Sequence, residues 1–319
     1  MTGDPAAYRG CVFSASDGVR LYFRDYAPAR TGDRPAVLCL PGLARNSKDF
    51  DGLARHLTVR GHRVVVPDYR GRGRSGRCSD WHDYAPARIV EDIRHLLDVA
   101  GLHRIVAIGT SLGGAIAMAL GAMAPSRLAG AVLNDIGPDV TEGESGAILR
   151  YVGQDHPVPD WESAIAWLQG LMPDLSFTTP QQWREFAEAT FVPGTDGMLH
   201  LDWDPAIALP FARGAADGYD LWALFGSLKP FPLLVVRGGV SRILTGPTFE
   251  RMTREHPSCL SLTLAGVGHA PALTEPPCLE AIGALLSAVR TRGNNRPFFG
   301  GTGKPAVLAS LHAARTPLR

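Results

Sequence analysis

The chain has 319 residues, 45% of them apolar and 20% charged, which suits one large domain, or a domain carrying an insertion, around a sizeable core. Thirty-two basic against 31 acidic residues give a formal charge of +1, a balance that argues against a nucleic-acid binder. No apolar run approaches the roughly 18 residues of a membrane span. The opening MTGDPAAYRG lacks the regions of a signal peptide, and five scattered cysteines form no CxxC, so a reduced, cytoplasmic protein is expected.

Two alternating runs, Cys11–Ala15 and Val19–Asp25, flank Asp17-Gly18 and predict a hairpin. An apolar strand over Ala36–Leu40 ends in Pro41-Gly42, a helix from about Asp49 to Arg60 stops at Gly61, and a strand over His62–Val66 is ended by Pro67. Apolar positions at Ile89, Ile93, Leu96 and Leu97 predict a helix over Ala85–Ala100, closed by Gly101. A strand over Arg104–Gly109, a helix over Gly113–Ala124 and a strand over Leu128–Asn134 follow. The alternation implies a mostly parallel α/β sheet. From Gly137 to about Gly218 the pattern changes to short amphipathic helices broken by Pro, an all-helical insertion. It then resumes with a strand over Pro232–Arg237, a helix over Pro247–His256, a strand over Leu260–Leu264 and a helix over Pro277–Arg290. The expected organisation is a core in two parts, 1–137 and 219–290, an insertion over 138–218, and a loosely attached tail over 291–319.

Gly109-Thr110-Ser111-Leu112-Gly113 follows one of these strands and opens a helix. A nucleophilic serine must stand out from the sheet on a tight strand-to-helix turn, and flanking glycines leave room for its strained backbone. The helix N-terminus favours negative charge developing there. His269, in the loop after the last strand, is the favoured base, because a hydroxyl needs a neighbour to take its proton. His56, His95, His103 and His256, in or just after helices, read as solvated surface residues. An oxyanion needs two fixed donors, and the N–H groups of Leu43, after Pro41-Gly42, and Leu112 are suitably placed.

These residues, with Asp68-Tyr69-Arg70-Gly71-Arg72-Gly73-Arg74-Ser75, resemble an α/β-hydrolase over roughly Val12 to Arg290. The resemblance implies an α/β-hydrolase fold with helices on both faces of the sheet, a helical cap between the sixth and seventh core strands, and a triad in the order Ser, acid, His. The usual acid follows the seventh core strand, but Arg242 stands there, and no carboxylate occurs between Pro230 and Thr248. A second location in the superfamily is the end of the sixth strand, which here carries Asp135 in Asn134-Asp135-Ile136-Gly137-Pro138. Asp135 has two readings, orienting acid or structural residue.

Other features have bland readings. Gly71-x-Gly73-x-x-Gly76 matches a dinucleotide fingerprint without a helix opening at its third Gly, and Gly300–Pro305 resembles a phosphate loop with Pro in place of Ser/Thr. Asp49 and Asp51 read as helix-start charges. The insertion's Trp161, Trp167, Trp183 and Trp203, with Phe177, Phe186 and Phe191, either line an apolar pocket or form the insertion's own core. Arg45 and Asn46, beside the proposed oxyanion hole, are candidates to touch substrate. The expectation is a hydrolase of a small-molecule carboxylic ester, thioester or lactone, through a Ser111 acyl-enzyme, with no cofactor and no metal. The alternatives are acyl transfer or C–C bond hydrolysis on the same residues, or a repurposed, non-hydrolytic site because of Arg242.

Overall fold

Strands β1 (Arg9–Ser14) and β2 (Arg20–Tyr26) pair antiparallel. The turn between them closes at Gly18, whose φ of 86° needs a residue without a side chain. A computed structural model describes residues 7–294, except positions 31, 33, 140, 141 and 216. The strands that follow are β3 (Ala36–Leu40), β4 (Val64–Asp68), β5 (Ile105–Thr110) and β6 (Leu128–Asn134). Two short strands, β7 (Phe191–Pro193) and β8 (Leu199–Leu201), precede β9 (Leu233–Gly238) and β10 (Cys259–Leu264). Eight strands form one sheet in the order β1-β2-β4-β3-β5-β6-β9-β10, parallel from β4 onward.

The central strands are buried on both faces, as their unbroken apolar runs require. Their pleat sends alternate residues to two cores. Leu38, Leu40, Ala107, Leu133 and Val235 face one side. There they meet α2 (Pro86–Val99), α3 (Leu112–Met123), α8 (Leu221–Gly226) and α9 (Gly246–Glu255). Val37, Cys39, Val106, Ile108 and Val236 face the other, against α1 (Asp51–Val59) and α10 (Pro276–Asn294). Among the described residues no helix is long and apolar enough to cross a membrane.

Between β6 and β9 the chain leaves the sheet. It forms α4 (Glu142–Val152), α5 (Trp161–Leu171), α6 (Pro180–Thr190), the β7–β8 hairpin and α7 (Leu209–Ala212). The insertion is therefore not all-helical. Strands of three residues are too short to show a period, although Asp196-Gly197 between them is a turn signal, with Gly197 at φ 82°. The insertion has a third core built on Leu168, Phe191, Leu199, Leu201 and Trp203, with Ala44 and Tyr84 contributed from the sheet side.

The Asp68–Ser75 segment is the seat of this insertion. Asp68 accepts the N–H groups of Ser47 (2.6 Å) and Arg74 (2.8 Å), and a Cβ on Gly73 would stand 2.3 Å from its carboxylate. The Gly73 N–H donates to Asp202 O (2.9 Å), and the Asp204 N–H donates to Gly71 O (2.8 Å). Here the glycine pattern serves tight turns and docking, not a dinucleotide.

Other details differ from the sequence expectations. Pro67 lies inside β4, beyond the Val64–Val65 stretch that β3 pairs. His256 is buried, with Nε2 against Leu228 O (3.0 Å), because the end of α9 turns inward. Helix α10 runs past Arg290 to Asn294. The rest of the tail, with Gly300–Pro305, lies outside the described residues.

Candidate active site

The C-terminal ends of β3, β5, β6, β9 and β10 converge, the usual place for a ligand in an open α/β sheet. Ser111 stands between β5 and α3 at φ 52°, ψ −119°, a left-handed backbone that a serine adopts only where its surroundings enforce it. The surrounding glycines make that possible. A Cβ on Gly109 would lie 2.2 Å from the Gly113 backbone, and one on Gly113 would lie 1.9 Å from Leu40 O. The Ser111 N–H is anchored on Asn134 O (3.0 Å).

Leu112 is the first residue of α3, so its N–H has no carbonyl one turn behind it. The loop after β3 passes close by: a Cβ on Gly42 would stand 3.9 Å from Ser111 Cβ. Arg72 holds that loop, donating from Nε to Leu43 O (2.8 Å). Burial pushes the Arg72 guanidinium down to about 10.

His269 and Ser111 line one cavity of about 1330 Å³ between the sheet and the insertion. The His269 loop is tied on three sides. The Gly268 N–H donates to Asp174 O (2.6 Å), Asn134 Nδ2 donates to Pro271 O (2.8 Å), and the Ala272 N–H donates to Glu275 Oε1 (2.8 Å). Behind His269 lies Asp135, fully buried at φ 54°, with Oδ2 2.8 Å from His269 Nδ1. An ionised carboxylate only accepts hydrogen bonds, so Nδ1 carries the proton and Nε2 is the basic nitrogen. Two further groups hold Asp135: the Gly238 N–H donates to Oδ1 (2.9 Å), and the Ser241 hydroxyl donates to Oδ2.

Arg242, at the position of the usual acid, is exposed in the cavity wall. Arg45 also lines the cavity, but its guanidinium is engaged by Asp49 (2.6 Å twice) and Thr190 (2.6 Å), and it lies over Phe186 at 4.2 Å. Burial lowers its basicity, and Asp49, together with Tyr151 and Asp202, outweighs that and raises it. Asn46 is structural. It caps the turn at Ser47–Phe50 and ties the insertion through Ala189 O (2.8 Å) and Asp202 (3.1 Å). Asp51 joins Arg24, Arg55 and Tyr26. Of the insertion's aromatics, Tyr151, Phe177 and Phe186 reach the cavity wall, Tyr151 and Phe186 also packing on the insertion's own core, to which the four Trp and Phe191 belong. Among the described residues no three His, Cys, Asp or Glu side chains gather so as to hold a metal ion.

Sequence reasoning missed Arg72, Gly238 and Ser241. The glycine pair in Gly238-Gly239-Val240-Ser241 was the available signal of a close backbone approach. A Cβ on Gly238 would lie 2.4 Å from Gly268 O, and one on Gly239 would lie 2.8 Å from Leu264 O.

Known proteins share this architecture. The family profile described as alpha/beta hydrolase fold matches residues 35–187. A 3-hydroxybutyrate-oligomer hydrolase of Cupriavidus necator is 35% identical over 251 residues, 76% of this chain and 85% of that protein. The chain belongs to the α/β-hydrolase family. The solved structure of an α/β-hydrolase from Novosphingobium aromaticivorans is 42% identical, with a TM-score of 0.82 over 88% of this chain and 98% of that one. A thermophilic esterase from Thermogutta terrifontis shares the α/β-hydrolase fold, with a TM-score of 0.67 at 24% identity over 89% and 99% of the two chains.

Proposed function

We propose that this α/β-hydrolase cleaves a carboxylic ester through an acyl-enzyme on Ser111. The observation that carries the reading is the His269–Asp135 hydrogen bond beside a serine in the strained elbow conformation, in one cavity. Ser111 Oγ attacks the carbonyl carbon while His269 Nε2 takes its proton. The oxyanion rests on the N–H groups of Leu43 and Leu112, which are fixed before the charge develops. His269 returns the proton to the leaving alcohol, then takes one from the water that attacks the acyl-enzyme. Acid and free Ser111 result, and no cofactor enters the balance. Asp135 keeps Nδ1 protonated throughout and stabilises the imidazolium.

The insertion acts as the cap. It supplies an apolar wall with Ile148, Leu175, Phe177 and Phe186 opposite the serine. The relative from Cupriavidus necator is named for 3-hydroxybutyrate oligomers, and a short oligoester of a hydroxy acid is the substrate we carry to this chain. The cavity is larger than the roughly 300–1,000 Å³ of ordinary small-molecule sites, which favours an extended substrate over a single small ester. A repurposed site found its support in Arg242; with Asp135 on His269 that support weakens. The five cysteines are unpaired thiols, in keeping with a cytoplasmic setting.

The test is release of 3-hydroxybutyrate from its linear trimer, with p-nitrophenyl butyrate as a general ester. Turnover of either ester that disappears in Ser111→Ala supports the hydrolase reading, and trimer cleavage supports the substrate. Equal turnover by Ser111→Ala would overturn the acyl-enzyme mechanism.

A further inference from the structure

The loop after β9 occupies the place where the family's usual acid would sit, yet it carries no carboxylate. Its bonds show what it does instead. The Ser241 hydroxyl accepts the Ile243 N–H (3.2 Å), so its own proton must point elsewhere, and it goes to Asp135 Oδ2. The Gly238 N–H holds Oδ1 (2.9 Å), and Asp135 is itself fixed by its N–H on Val236 O (2.8 Å). The same loop grips the chain leading to His269, through the Gly239 N–H on Leu264 O (2.7 Å) and the Val240 N–H on Val267 O (3.0 Å). Ser241 is 7% exposed and Asp135 is fully buried, so the hydroxyl is a largely desolvated donor to a fully desolvated carboxylate.

We infer that Gly238–Ser241 is the positioning device of the Asp135–His269 pair, with the Ser241 hydroxyl as its adjustable part. It rests on the reading of Ser111 and His269 as nucleophile and base. Two donors on different oxygens fix the carboxylate's rotation about its own axis, and that rotation decides where Oδ2 holds the imidazole. Ser241 is a positioning residue: it touches Asp135 and acts through it. The position after it carries Arg242 where the family's usual acid would stand, and the loop aligns Asp135 instead.

The test compares Ser241→Ala and Ser241→Thr with the unaltered full chain. Turnover of p-nitrophenyl butyrate is read beside the low-field proton resonance of His269 Nδ1–H. Ser241→Ala should lower kcat by about 10- to 100-fold with KM within about twofold, the range for a lost hydrogen bond to a charged group. The Nδ1–H resonance should move or broaden, and Ser241→Thr, which keeps a hydroxyl, should restore both. A folded Ser241→Ala protein with unchanged kcat and an unchanged resonance would overturn the inference. So would an equal loss in the two variants with the resonance unmoved, since that is a packing defect. The resonance needs no turnover. Its movement in a protein without esterase activity would support the positioning role while the hydrolase reading failed.

Discussion

Asp135→Asn is the substitution whose consequence the bonding pattern dictates most fully. Asparagine replaces one carboxylate oxygen by an NH₂ group, and its oxygen must go to one side or the other. The Gly238 N–H donates to Oδ1 from the end of a strand and cannot turn away, so the amide oxygen stays there. The NH₂ group then faces the Ser241 hydroxyl and His269 Nδ1. Two donors cannot bond one another, and His269 must shift its proton to Nε2. In that tautomer it cannot accept the proton of Ser111. The analogous change in a serine protease triad costs about 10⁴ in kcat, or about 5.4 kcal/mol at 1.36 kcal/mol per decade. We expect about 10³ to 10⁴ here, with a residual rate from the oxyanion donors. The fold should survive, because asparagine tolerates the φ of 54° at this position. The assay is kcat and KM for p-nitrophenyl butyrate, with thermal unfolding as the control. A folded variant within about threefold of the original rate would refute the assignment of Asp135.

Arg242→Asp, which restores the family's usual acid, should leave kcat within about twofold, because Asp135 already holds His269 Nδ1; a tenfold gain would show Asp135 to be a poor acid. His200 offers a pH test away from the site. Its two ring nitrogens meet Asp155 (2.7 Å) and Asp196 (3.0 Å), and these partners, Asp155 first, raise its basicity above the ordinary 6.5. A raised value in the folded state means that this tie of the β7–β8 hairpin is fully present below about pH 6.5 and fades as pH rises through the higher folded value. Amide exchange in Leu199–Leu201 should therefore quicken with pH beyond its intrinsic increase, and His200→Asn should remove that excess. An excess that persists in His200→Asn would contradict the assignment.

The sheet was legible because its central strands are short apolar runs alternating with helical periods, and Ser111 was legible because its glycines are a local requirement. The proposed acid was legible only as one of two readings of Asp135, since Asp135, Ser241 and His269 meet only through strand order, and nothing local in Asn134-Asp135-Ile136 tells an orienting carboxylate from a structural one. Aromatic residues in a Pro-broken helical segment look alike whether they face a cavity, as Phe177 and Phe186 do, or a small core, as Trp203 does with its Nε1 on Val152 O (3.0 Å). His256 was misread for a related reason: a histidine after a helix shows no sign of which way the chain turns next. The β7–β8 hairpin lay below the length at which alternation can be seen.

The proposed mechanism requires Ser111 to be an activated nucleophile beside preformed oxyanion donors. Covalent labelling by a fluorophosphonate, located by peptide mass spectrometry, tests it without knowledge of the substrate. Ser111 should be modified rapidly, Ser111→Ala should stay unlabelled, and labelling should slow by orders of magnitude in Asp135→Asn. A folded protein that stays unlabelled, or that is labelled at another residue, would contradict it.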